Sequence, residues 1–202
     1  MGAFADHTLH DLLDAVAAQR PAPGGGCSAA WAASMGAGLV EMAASFTLAR
    51  PRYAGVHRRM LDVRKEATGL RRRLVELAES DAETYEAVVA AMRLPAQHPD
   101  RRQLLDDARS QAAETPMAIT EAAADVAELA AETARSGNEH LEGDATTGAL
   151  LAEGACRAAA RLVEINLAQR PDDPRLARVA EAVRRAASAR DGALRARQEA
   201  LS

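Results

Sequence analysis

Residues 56–77 read VHRRMLDVRKEATGLRRRLVEL, in which Val56, Met60, Val63, Ala67, Leu70, Leu74 and Leu77 recur at steps of 4, 3, 4, 3, 4 and 3. Alternating steps of three and four keep side chains on one stripe of an α-helix, the pattern of a bundle or coiled-coil seam. The stripe resumes at Tyr85, Val88 and Met92, so the spacing predicts one helix from about Gly55 to Leu94. Roughly 40 residues at about 1.5 Å each make a rod of about 60 Å, whereas a compact chain of this length is only about 43 Å across. Such a helix either bends, with Gly69 as the weak point, or extends across a partner. The expectation is an elongated subunit in a dimer.

Outward from this rod, proline and glycine divide the rest of the chain into helices. A first helix spans about His7 to Gln19, with Leu9, Leu12, Leu13 and Val16 on one face. Pro21-Ala22-Pro23-Gly24-Gly25-Gly26 breaks it. A second helix, Cys27 to Ala49, carries no charge before Glu41 and must be buried nearly all round. Its small residues Ala30, Ser34 and Gly38, with Met42, lie four apart and permit close helix contact. After the loop at Pro95 to Pro99, another helical stretch runs from Asp100 to Arg135, offset or kinked at Pro116. Gly137 to Gly143 is a loop, a fifth helix starts at Asp144 and ends before Pro171, and a charged last helix runs from Pro174 to the C-terminus. The fold class is all-α: an elongated bundle of about six helices, one domain over residues 1–202.

Composition agrees with that architecture. Hydrophobic residues make up 48% of the chain but aromatics only 2%, and alanine supplies much of the difference. Ala, Leu, Glu and Arg favour helices, and the β-branched and aromatic strand formers are scarce. A net charge of −4, from 25 basic and 29 acidic residues spread along the chain, gives no electrostatic basis for binding nucleic acid. Cys27 and Cys156 are too few for a disulfide framework, and the start of the chain shows no secretory signal. The stretch from Cys27 to Ala49 holds Glu41 and many small residues, so it reads as a buried helix rather than a membrane span. A cytoplasmic protein is expected.

The most informative single residue is Asp81. Four residues past Leu77 on the apolar stripe, and four before Tyr85, it puts a carboxylate on the buried seam. Desolvation there is costly without a partner and raises the pKa, which suits an acid or base. The same placement fits a structural carboxylate bonded to a neighbouring helix or paired with an Arg, and the pattern leaves both open. Gly24-Gly25-Gly26 precedes a helix, where exposed amides can face an anion, yet alone it reads as a flexible turn. Cys27 reads as a small residue at the core edge, Asp144 as a helix N-cap and Asn166 as a residue bonding a helix end. The five histidines show neither H-E-x-x-H nor E-x-x-H repeats, so no metal is expected.

Together these pieces resemble the cyclodeaminase/cyclohydrolase family, which includes the cyclodeaminase half of formiminotransferase-cyclodeaminase and methenyltetrahydrofolate cyclohydrolases. The matching segments are Pro21-Ala22-Pro23-Gly24-Gly25-Gly26, Asp81-Ala82-Glu83-Thr84-Tyr85, Met92-Arg93-Leu94-Pro95, Thr115-Pro116, Gly137-Asn138 with Asp144, and Ile165-Asn166-Leu167. The resemblance implies a homodimer with folate in a cleft beside the glycine loop and Asp81 as the catalytic residue. It implies further that Gly24, Gly25 and Gly26 contact the substrate, with Asp144 and Asn166 in the site. Arg50, Arg52 and Arg93 would receive the glutamate carboxylates. The implied reaction is hydrolysis of 5,10-methenyltetrahydrofolate to 10-formyltetrahydrofolate, with the folate as substrate and no separate cofactor. Ring closure of 5-formiminotetrahydrofolate with loss of ammonia is the alternative within the family, and a folate-binding scaffold without chemistry is the alternative outside catalysis. This chain departs from the family pattern at Cys27, where Ser is usual, at Ala96, where Lys is usual, and at Leu162, where Asn is common. Arg50-Pro51-Arg52 also interrupts the usual Gly and basic run.

Overall fold

A computed structural model describes residues 6–196. They form seven α-helices: α1 (Leu9–Ala17), α2 (Gly25–Leu48), α3 (His57–Met92), α4 (Arg101–Ala112), α5 (Glu114–Ser136), α6 (Glu142–Asn166) and α7 (Pro174–Arg195). Short 3-10 turns at Pro51–Val56 and Glu139–Leu141 precede α3 and α6, and no strand occurs among the described residues. The expected continuation of the last helix past residue 196 lies outside the described residues.

The centre of the bundle is α2, packed between α3 on one side and α6 on the other, with α5 behind and α7 across α5 and α6. Twelve residues of α2 are buried, among them Ala30, Ala33, Ala37, Val40 and Ala44. Its small-residue stripe faces α3: the Ser34 hydroxyl donates to the Arg71 carbonyl at 3.1 Å, and Gly38 lies under the Arg71 side chain. The tightest crossing is on another face, against α6. A Cβ added to Gly36 would stand 2.8 Å from the Gly148 carbonyl oxygen, and one added to Gly148 would stand 3.0 Å from that of Gly36. Two glycines thus let the backbones touch, which is how a core of alanines packs without voids.

The long rod exists and is unbroken. α3 runs 36 residues through Gly69 without interruption, about 54 Å at the ordinary helical rise. Met60, Val63, Ala67 and Leu74 are fully buried as the stripe requires. Past Leu77 the expectation fails in part, because Tyr85 is 41% and Met92 49% exposed, while Ala78, Val88 and Ala91 are buried. A repeat of 3.5 residues drifts around a straight helix of 3.6, and the buried face turns with it.

The single stretch expected from Asp100 to Arg135 is two helices, α4 and α5, meeting at Ala113. Pro116 lies in the first turn of α5, where a missing amide costs nothing. It also leaves the Ala112 carbonyl without the amide four residues on, and that oxygen is taken by the Asn166 side chain at 3.1 Å. Guanidinium pairs tie α7 down: Arg185 reaches Asp125 and Glu128 on α5, and Arg190 reaches Glu153 on α6. Among the described residues, no single helix is long and apolar enough to cross a membrane.

Candidate active site

The α2/α3 packing brings the glycine turn onto Asp81. Gly24 caps α2 and, having no side chain, gives that helix start no cap of its own; the Asp81 carboxyl from α3 instead bonds the Cys27 backbone in the first turn. Gly26 follows two residues later, pressed against α3. A Cβ built on it would clash with both carboxyl oxygens of Asp81. Only a residue without a side chain lets the carboxyl lie this close to the helix start.

Asp81 is half-buried, and burial pushes its pKa above the usual carboxylate range; hydrogen bonding from the Cys27 thiol and backbone opposes that rise. No arginine is among these causes; the hydrogen bonds of the carboxyl run to Cys27 on the neighbouring α2. Cys27 is fully buried. Its Sγ lies 3.2 Å from the Ala78 carbonyl and 3.6 Å from Asp81 Oδ2. Burial, with the neighbouring Asp81 charge adding to it, pushes its thiol up to about 11.

A cleft of about 300 Å³ opens above this pair. Gly24, Gly25 and Gly26, Asp81 and, at the end of α6, Asn166 line it. Asn166 spends its side-chain N–H on Ala112, which leaves its amide oxygen to accept. The remaining wall is largely apolar: Ala82, Tyr85, Pro116, Leu162 and Ile165. Such a cleft has one polar, proton-exchanging end and one surface suited to a flat ring system. Sequence reasoning missed the apolar wall and the contact between Cys27 and Asp81. The wall had a signal, since Tyr85 follows Asp81, and Asn166 follows Leu162, by one helical turn.

Other predicted site residues lie elsewhere. Arg50 follows the C-terminus of α2, about 35 Å along that helix from Gly26. Arg52 pairs with Glu139 at 2.9 Å and stacks over the Tyr53 ring at 4.7 Å. Asp144 is in the first turn of α6 but does not cap it, because Leu141 is the N-cap; it is about 33 Å along the helix from Asn166. Arg93 is exposed at the end of α3, about 18 Å beyond Asp81. One chain therefore does not bring Arg50, Arg52, Arg93 or Asp144 to the cleft, because each sits far from it along its helix. Among the described residues no cluster of His, Cys, Asp and Glu could hold a metal. A wider hollow between α3 and α5 is lined by charges that already pair with each other, such as Arg59 with Glu132 and Glu66.

A partly desolvated carboxyl against the first turn of a helix, lining a cleft in an all-helical bundle, is an arrangement that small-molecule acid–base sites use. The comparisons agree with that class. The chain belongs to the formiminotransferase-cyclodeaminase family, whose model matches residues 8–185. It is 32% identical over 165 residues to a methenyltetrahydrofolate cyclohydrolase of Methylorubrum extorquens, covering 80% of this chain and 79% of that one. A formimidoyltransferase-cyclodeaminase of Sus scrofa is 29% identical over 179 residues, and there the match covers 87% of this chain but only 33% of the relative. The crystal structure of a formiminotetrahydrofolate cyclodeaminase from Thermotoga maritima superposes with a TM-score of 0.80 at 26% identity, covering 94% and 92% of the two chains.

Proposed function

We propose that this chain is a folate one-carbon enzyme that hydrolyses 5,10-methenyltetrahydrofolate to 10-formyltetrahydrofolate, with Asp81 as its proton carrier. The observation that carries the reading is the half-buried Asp81 carboxyl, its pKa raised by burial, lining the cleft against Gly26. The family and the cyclohydrolase relative support the substrate class. The cleft volume suits the reacting ring system, with the glutamate tail outside it.

In this mechanism water forms a bond to the methenyl carbon and gives a proton to the Asp81 carboxylate. The bond from that carbon to N5 then breaks, its electron pair stays on N5, and Asp81 returns the proton there. The hydroxyl proton of the tetrahedral intermediate leaves to solvent as the formyl C=O forms on N10. One proton is released per turnover, which balances the loss of the substrate's positive charge. The glycine start of α2 and the Asn166 oxygen orient the ring system, and the apolar wall covers its face. No cofactor is needed beyond the folate itself, and the cytoplasm is the proposed setting.

The Thermotoga structure supports a second reading, in which N10 closes on the carbon of the protonated formimino group, Asp81 takes the N10 proton and passes it to the departing nitrogen, and ammonia leaves with its bonding pair to give the methenyl cation. Purified protein should bleach the methenyl chromophore of the first substrate faster than it releases ammonia from 5-formiminotetrahydrofolate. The reverse preference establishes the second reading, and acceleration of neither overturns both. We propose further that the working unit is a homodimer. Leu9, Leu13 and Val16 on α1, and Met35 and Phe46 on α2, are each at least 40% exposed, and a second copy would cover such apolar surface. A stable active monomer in sedimentation at micromolar concentration refutes it.

A further inference from the structure

We propose that Cys27 is a positioning residue for Asp81, its thiol hydrogen turning between the Ala78 carbonyl and the Asp81 carboxyl as that carboxyl gains and loses its proton. The inference deepens the function proposed above and rests on Asp81 being the proton carrier of that site. Its basis is geometric. A thiol has one hydrogen, and Cys27 Sγ has two oxygen acceptors within reach of it, Ala78 O at 3.2 Å and Asp81 Oδ2 at 3.6 Å. When Asp81 is ionised, the carboxylate is the stronger acceptor and draws the hydrogen. When Asp81 is protonated, the Ala78 carbonyl is the nearer partner and takes it back. Rotation about one side-chain bond makes the exchange, with no movement of either helix.

The Cys27 backbone also bonds the carboxyl, and that bond is common to every Cys27 variant, so the thiol is the donor that substitution changes. From α2, the titratable group facing Asp81 is Cys27. The cleft residues of α4, α5 and α6 are Ala112, Pro116, Leu162, Ile165 and Asn166, none of which titrates, and the segment before α2 adds only Pro21, Ala22 and glycines. On α3 itself the titratable cleft neighbour is Tyr85, one turn away. The thiol is a donor and not a reagent: it is buried and stays protonated at neutral pH. A weak, rotatable donor is suited to a carboxyl that must change charge every turnover, because it steadies the ionised form without trapping it.

The test is a titration of the Asp81 side-chain carboxyl carbon by NMR in aspartate-labelled protein, with Asp81→Asn used to assign the resonance. Wild type, Cys27→Ala and Cys27→Ser are compared, and thermal unfolding shows that each is folded. Cys27→Ala removes the donor, so the midpoint should move to higher pH. Cys27→Ser supplies a stronger donor, so it should move to lower pH. The acid limb of the pH–rate profile should move in the same directions. Identical midpoints in all three proteins overturn the proposal, since a cysteine that merely fills space would change melting temperature and leave the titration alone. The midpoints are read without substrate. If they shift while no variant has activity, the role of Cys27 stands and the proposed function falls.

Discussion

The Asp81 carboxyl stands where a side chain on residue 26 would have to go, so Gly26 and Asp81 hold their places only together. The glycine does not serve a turn here, since no glycine among the described residues has a positive φ. It serves close approach, setting a carboxyl against the first turn of α2. This gives the most direct test of the site. Gly26→Ala should keep its fold, because alanine is the better helix former and the Asp81 side chain can swing away. With the carboxyl displaced, turnover should drop by about 100-fold or more, the low end of what a general acid–base group contributes. Circular dichroism and steady-state kinetics check both halves; wild-type kcat in the variant rejects the arrangement.

Asp81→Asn keeps the shape and hydrogen bonding of the side chain and removes proton exchange. Turnover should fall by about 10²–10⁴-fold, or roughly 2.7–5.4 kcal/mol of barrier. Folate affinity by calorimetry should stay near wild type. Unchanged kcat with a lowered melting temperature would return Asp81 to a structural role.

The same residue predicts a pH dependence of stability. Burial raises the native pKa of Asp81 above its ordinary value of 3.8. The folded state therefore holds this proton more tightly than the unfolded state. Its contribution to stability is full below the unfolded pKa and is lost as pH rises through the native one. Asp81→Asn has no such loss. Urea unfolding of the pair should show the variant gaining on wild type across that interval, and parallel curves would contradict the desolvation.

Two glycines on different helices should answer oppositely to alanine. Gly36→Ala meets the Gly148 backbone oxygen at 2.8 Å, which forces α2 and α6 apart at a cost of about 1–3 kcal/mol. Gly69→Ala on the exposed face of α3 meets nothing within 4 Å. It should stabilise the protein by about 0.5–1 kcal/mol through helix propensity alone. Denaturant midpoints of the two variants decide it; equal shifts would mean that the α2/α6 crossing is looser than it looks.

The helices and the importance of Asp81 were legible in the chain because both are local. Steps of three and four mark the buried face of α3 whatever it packs against, and Asp81 stands out as a charge on that face. Proline and glycine place most helix ends for the same reason, since they act on their own backbone. The partners of Asp81 were not legible. Cys27 lies 54 positions away in sequence, and its contact depends on how α2 crosses α3. Asn166 is 54 positions from Ala112, whose carbonyl Pro116 leaves free and the Asn166 side chain takes. Arg50, Arg52 and Asp144 fit the expected chemistry by type, but helices about 35 Å long carry them to the far end of the bundle. Residue type and periodicity determined that these helices form and, along α3 as far as Leu77, which face is buried. Only tertiary packing decided which helix ends meet, because backbone approach through Gly26, Gly36 and Gly148 sets the crossings, and a missing side chain leaves no periodic mark in a sequence.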